Sequence, residues 1–201
     1  MNYDNQVLQV IDQRHSIRMF NDQPLEEAAL LKVLHAANQA PSAHNQQAWR
    51  FIIIEGEKKR ELVELINAKA VLFPKSASVL LRMASRSIAS APAVIAVANT
   101  GELIEHGTEL FGMEKAVAYD FFRTMEIQSS AAAVQNLLLA ATSLGLATVW
   151  LGILYLIKDD VLNLLEEPKG EFMAVIPIGY PARLSKGPEK RSLDTLIRRF
   201  A

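Results

Sequence analysis

R-H-S-I-R-M-F, from Arg14 to Phe20, is the stretch around which the chain is organised. Two guanidiniums, an imidazole and a hydroxyl stand close together in it, with apolar sequence on both sides. Arg14, Ser16 and Arg18 alternate, so in an extended segment all three point the same way. Such a comb suits a phosphate or a polyol, with planar forks for oxygens and a small hydroxyl between them. The competing reading is a solvated loop after a helix, its arginines paired with nearby acids such as Asp12 and Asp22. A second stretch, A-P-S-A-H-N-Q-Q-A-W from Ala40 to Trp49, shifts the balance.

Composition narrows the field. The chain has 201 residues, 50% of them hydrophobic, enough for one core and a single expected domain. With 21 basic and 22 acidic residues the net charge is -1, so nothing draws the chain to nucleic acid or to an anionic membrane. Cysteine is absent, which excludes disulfides, thiolate metal sites and a thiol nucleophile. His15, His35, His44 and His106 share no metal-ligand spacing. The start M-N-Y-D-N-Q lacks a signal-peptide pattern, and no apolar run is long enough to span a bilayer, so a cytoplasmic setting is expected.

Outward from the two stretches, periodicity supplies the elements. Val7, Leu8, Val10 and Ile11 predict a helix over residues 4–13 with Asp4 as N-cap. Further helices are expected over Glu26–Asn38, Glu57–Ala70, Ser76–Ser90 and Lys158–Leu165. Trp49–Ile54 reads as a buried strand, and the all-apolar Ala93–Ala98 as a central one. Ala147–Leu151 and Phe172–Ile178 are the remaining strand candidates. Periodicity fails over Thr100–Phe122, which predicts a functional loop or lid carrying Phe111, Tyr119, Phe121 and Phe122. Thr124–Leu144, closed by Gly145, is the longest helical pattern, and its apolar residues run round most of the circumference. Such a helix belongs at a domain centre or a subunit interface.

R-H-S-I-R-M-F and A-P-S-A-H-N-Q-Q-A-W together resemble the two N-terminal signatures of the FMN-dependent nitroreductase family. Q-N-L-L-L-A-A-T-S-L-G-L from Gln135, A-T-V-W-L-G from Ala147 and I-P-I-G-Y-P-A from Ile176 are similar to its central helix, the strand after it and its C-terminal segment. The resemblance implies an α+β fold with a mixed central β-sheet surrounded by helices. It also implies a domain-exchanged homodimer, binding FMN at the interface, with the tail of about residues 180–201 lying over the partner. Arg14, His15, Ser16 and Arg18 match the positions that hold the ribityl phosphate and pyrimidine edge. Pro41, Ser42, Ala43 and Asn45 match the loop that reaches the flavin from the second subunit. Leu151 and Gly152 match a strand end whose backbone N–H groups face the flavin, and Lys190 and Arg191 match a basic pair completing the phosphate site. The chain departs from the pattern at Ala48 and Ser192, where proline is usual, and no Asn/Lys pair can be matched between residues 65 and 90.

The activity implied by the resemblance is that of an NAD(P)H oxidoreductase, reducing nitroaromatics, quinones or related flat acceptors by ping-pong hydride transfer through flavin N5. No catalytic side chain is required, since the flavin is the reactive centre. The absence of G-x-G-x-x-G fits NAD(P)H as a transient co-substrate without a fold of its own. Alternatives within the family are enoate or aldehyde reduction, reductive dehalogenation and flavin cleavage. A flavin-binding protein of low turnover is the alternative outside it.

Overall fold

Asn5, and not Asp4, opens the first helix. Its Oδ1 accepts the Val7 N–H at 2.9 Å and the Leu8 N–H at 3.2 Å, so α1 runs Gln6–Gln13. The computed structural model describes residues 4–112, 114–167 and 171–200. After α1 come α2 (Glu27–Asn38), a short 3-10 turn at Ala43–Asn45, β1 (Trp49–Ile54), α3 (Gly56–Ala70), α4 (Lys75–Ser90) and β2 (Ala93–Asn99). Then come α5 (Glu102–Phe111), α6 (Lys115–Ser143), β3 (Ala147–Thr148), a 3-10 turn at Gly152–Ile157, α7 (Lys158–Leu164) and β4 (Glu171–Gly179). A last 3-10 turn stands at Leu193–Thr195.

The strands lie in the order β1-β2-β4-β3, with antiparallel ladders throughout. The sheet is mixed through one contact: Ser16 bridges Thr148 in the parallel sense. β2 is inner and buried along its whole length, as its apolar run requires, because helices cover both faces. Its residues alternate between layers. Val94, Ala96 and Ala98 pack with Leu62 and Ile66 of α3, Leu81 and Ile88 of α4, and Val161 of α7. Ala93, Ile95 and Val97 pack with Leu30 and Val33 of α2 and with Val134 and Leu137 of α6.

Three expectations need correction. The segment Thr100–Phe122 is not a loop: α5 and the first turns of α6 occupy it. The helical period is hidden there because the aromatics do not share a face, Phe122 being buried while Tyr119 and Phe121 are exposed. The long helix accordingly starts at Lys115 and not at Thr124. The strand expected over Ala147–Leu151 pairs only as far as Thr148. Beyond it Trp150 turns outward, and the Leu151 N–H is spent on the Val175 carbonyl at 2.9 Å. Gly145, at φ +74°, closes α6 as expected, in a conformation that a side chain would resist.

α5 reaches α6 by a close approach at Gly107. A Cβ there would stand 2.3 Å from the Phe122 ring, inside the small cluster of Ala48, Leu103, Ala118 and Phe122. Gly107→Ala must displace that ring. Overpacking of this kind costs about 1–3 kcal/mol, so the variant should melt several degrees lower in a denaturation experiment, and an unchanged midpoint would contradict the packing described.

Candidate functional site

The Arg14–Phe20 segment is extended, and two backbone contacts dock it on the edge of β3. Ser16 bridges Thr148, and the Ile17 N–H donates to the Thr148 carbonyl at 3.0 Å. Ile17 turns inward to pack with Phe20, Ala91 and Ala147, while Ser16 and Arg18 stay exposed. Alternation along the segment is therefore as its residues require. Parallel register carries Arg18 to Trp150. Among the described residues, no carboxylate pairs with Arg14 or Arg18, so neither Asp12 nor Asp22 neutralises the comb.

Arg18 borders a cavity of about 230 Å³ whose walls are Leu80, Met83, Ala84 and Ser87 of α4 and residues 149–153. Arg18 is its only charged group. Gly152 opens on to free space, since a Cβ there would meet nothing within 4 Å. As first residue of a 3-10 turn it also keeps an N–H that no described residue accepts, as helix starts do. Leu151 lines the same cavity, but its N–H is committed to Val175 and cannot face a ligand. Sequence reasoning missed Leu80, Met83 and Trp150. Leu80 and Met83 sit three residues apart on one face of α4, in the region where the family pattern calls for a polar pair. Trp150 is 36% exposed, although a packing role is the usual one for tryptophan. Arg82 and Arg86 lie on the exposed face of α4, away from the cavity.

The loop before β1 is held by its own polar groups. The Ser42 hydroxyl accepts the Gln47 N–H at 3.1 Å, and the Ala43 N–H donates to Ser129 Oγ at 3.1 Å. The Gln47 amide donates to the Asn45 carbonyl at 3.0 Å and to its Oδ1 at 3.2 Å. His44, Asn45 and Gln47 all take positive φ, near +52°, a conformation that costs non-glycine residues about 1 kcal/mol each. Pro41, Ser42 and Ala43 border a second cavity of about 300 Å³ along α6, with Met125, Gln128, Ser129 and Ala132. This cavity shares no lining residue with the first. Within one chain the two groups of predicted residues are not brought together.

The C-terminal tail runs back along the first stretch. The Asn21 N–H donates to the Tyr180 carbonyl and the Ala182 N–H to the Met19 carbonyl, both at 3.0 Å. His15 ties the tail down. Its Nδ1 meets the Gln13 carbonyl at 2.8 Å, so Nδ1 carries the proton, and Nε2 accepts from the Ser185 hydroxyl at 3.0 Å. Both ring nitrogens are thus engaged inside the chain, which departs from the expectation that His15 contacts a ligand. Lys190 and Arg191 are exposed, border neither cavity and join no ion pair among the described residues. Gly187 packs against His15, and chain geometry holds Lys190 within about 10 Å of that point.

A further cavity, about 880 Å³, lies between α1, α2 and α6 and gathers none of these residues. Among the described residues, no cluster of histidine or carboxylate side chains is placed to hold a metal, and no helix is long and apolar enough to cross a membrane.

A profile of the Nitroreductase family matches residues 11–180. The chain belongs to the nitroreductase family. A relative from Archaeoglobus fulgidus named "Putative NADH dehydrogenase/NAD(P)H nitroreductase" is 30% identical over 87% of this chain and 84% of its own length. The 5,6-dimethylbenzimidazole synthase of Rhodospirillum rubrum is 28% identical, covering 92% of this nitroreductase and 87% of its own length. Among solved structures, a "putative nitroreductase in complex with FMN" from Desulfovibrio desulfuricans superposes with a TM-score of 0.74, at 28% identity over 99% of both chains.

An arginine kept for a ligand differs from one kept for the fold. Arg18 has no carboxylate partner, so Arg18→Ala should leave unfolding stability within about 0.5 kcal/mol of the parent. A loss above about 2 kcal/mol in chemical denaturation would make Arg18 structural.

Proposed function

We propose that this nitroreductase is an FMN-dependent oxidoreductase that uses NAD(P)H to reduce a flat conjugated acceptor such as a nitroaromatic or a quinone. The observation that carries this reading is the unpaired Arg18 guanidinium on the same cavity as Trp150 and the open Gly152. The residues fit the cofactor. Leu80, Met83 and Trp150 supply apolar walls for an aromatic ring, and Arg18 supplies a fork for anionic oxygens. When bound, FMN supplies the two-electron chemistry, accepting hydride from the nicotinamide and passing it to the acceptor.

The chain's own part is binding and electrostatics. A cation on the cavity wall favours an electron-rich ligand, and low-dielectric apolar walls strengthen that attraction. The Gly152 N–H is a backbone donor free to meet a ligand. Nothing in the cavity needs to act as acid or base, since protons can come from water.

We further propose that a second copy of the chain completes the site. About 230 Å³ is small against the roughly 300–1,000 Å³ usual for ligand pockets. The residues that the family resemblance assigns to the other side, Pro41, Ser42, Ala43 and Asn45, lie elsewhere on this chain. Apolar surface suited to a homodimer is plentiful: α1 has no buried residue and exposes Val7, Leu8 and Ile11. The tail exposes Leu184 at 93% and Phe200 at 83%, with Leu193, Leu196 and Ile197. In a dimer the tail would lie over the partner, carrying Lys190 and Arg191 toward a phosphate.

One observation favours a second reading. Identity to a 5,6-dimethylbenzimidazole synthase, 28%, is close to the 30% of the Archaeoglobus fulgidus relative, so a synthase activity is the second reading. Product analysis separates the two.

The purified chain should be yellow or take up FMN on titration, and should oxidise NADPH faster when a nitroaromatic is added. Arg18→Ala removes charge-assisted hydrogen bonds of about 1.5–3 kcal/mol and should weaken FMN binding about 10- to 100-fold. A colourless protein that takes up no flavin ends this reading.

A further inference from the structure

Glu126 takes no part in the chemistry proposed above. Among the described residues it is nonetheless the one charged side chain that is fully buried, at 1% exposure. Burying a carboxylate is costly unless its oxygens are met by donors. Here one oxygen meets the start of another helix. Glu126 Oε1 accepts the Leu103 N–H at 2.9 Å, while Oε2 is buried with no hydrogen-bond partner among the described residues. The first N–H groups of α5 have no partner within the helix. Gly101 at the N-cap has no side chain, and the Thr100 hydroxyl just before it meets only the Glu102 N–H, at 3.5 Å. A carboxylate from α6 therefore takes the place of the missing cap, at the positive end of the helix dipole. Burial pushes the Glu126 carboxyl up, and the backbone N–H groups at the start of α5 pull it down less strongly. One turn further along α6, the Ser130 hydroxyl donates to Asn99 Oδ1 at the end of β2, so the same face of α6 is fixed to the sheet.

α5 supports the 41–47 loop at both of its ends. Leu103, whose N–H Glu126 holds, is buried with Ala48 and Phe122, and Ala43 packs on that cluster. The adjoining Thr100 N–H donates to the Ala48 carbonyl at 3.1 Å. At the far end, Phe111 meets the His44 ring edge-on at 5.8 Å and the Phe122 ring at 5.5 Å. His44 and Asn45 hold positive φ and depend on such support.

We infer that Glu126 is a positioning residue for the loop side of the site: its carboxylate fixes α5, and α5 fixes the loop from Ser42 to Gln47. This rests on the reading that the loop faces the flavin bound by a second copy. A group that only held the fold together would lower stability and occupancy together. A positioning group, acting through a loop placed against the flavin, raises the KM for the acceptor beyond any loss of stability, with kcat nearly intact.

The test compares Glu126→Ala, Glu126→Gln and Phe111→Ala with the parent, as full chains given FMN, by amide hydrogen exchange and by kinetics with the quinone menadione. Glu126→Ala should speed exchange over residues 101–105 about tenfold. Its KM for menadione should rise about fivefold, with kcat within about twofold. Glu126→Gln keeps an acceptor oxygen for the Leu103 N–H and should recover most of both. Phe111→Ala cuts the link at the other end, so KM should rise with exchange over 101–105 unchanged. The double variant Glu126→Ala/Phe111→Ala should be no worse in KM than the more affected single one. Should Glu126→Ala not fold, Glu126→Gln beside Phe111→Ala gives the same comparison. Unchanged exchange in both Glu126 variants, or a Phe111→Ala KM equal to the parent's, overturns the inference. Failure of the parent to take up flavin defeats the functional reading instead, and the exchange comparison is then read on the flavin-free chain.

Discussion

The contact on which the rest depends is small: the Ile17 N–H on the Thr148 carbonyl, beside the Ser16–Thr148 bridge. It lays an otherwise exposed segment against the edge of the sheet and fixes its register. With that register set, Ile17 goes in and Arg18 comes out beside Trp150. A slip of one residue would exchange the two faces and put the guanidinium in the core, which is why register is strongly specified here. The shortness of β3 serves the same end. Because pairing stops at Thr148 and the chain then swings away, Trp150 and Gly152 become a cavity wall and not a buried ladder.

How much of this was legible in the sequence varied with the kind of signal. Ala93–Ala98 could be read as an inner strand because only a position covered on both faces accepts an unbroken apolar run. The outward face of Ser16 and Arg18 was equally legible, since alternation has one geometric meaning in an extended chain, whereas Arg14 is half-buried and does not line the cavity. α5 and the first turns of α6 were not legible: Tyr119, Phe121 and Phe122 point to different sides, and no stripe marks the helix. Nor could sequence reveal that the Leu151 N–H is taken by Val175, because ladder partners depend on tertiary register. Met83 and Leu80 were invisible for a simpler reason, as apolar residues on an amphipathic helix look like core wherever they point.

Burial of Glu126 shows where a local rule is broken and compensated from a distance. Gly101 offers no capping side chain, and the Thr100 hydroxyl beside it reaches only the Glu102 N–H, at 3.5 Å. The Leu103 N–H is met from α6, so part of the support of this helix start is distant in sequence. The cluster of Ala43, Ala48, Leu103 and Phe122 then joins the strained loop to both helices. Two features of the chain are thereby related: an exposed half-site on one layer of the sheet, and a braced loop on the other. In the proposed reading two copies of the chain combine them, through the apolar surface that the tail and α1 expose.

A crystal structure of the chain grown with FMN tests this account most directly. It predicts one flavin per chain, in contact with Arg18 and Gly152 of one copy and with the Pro41–Ala43 stretch of a second. Flavin held wholly within one chain, or seated in the large cavity between α1, α2 and α6 with Arg18 facing solvent, would contradict it.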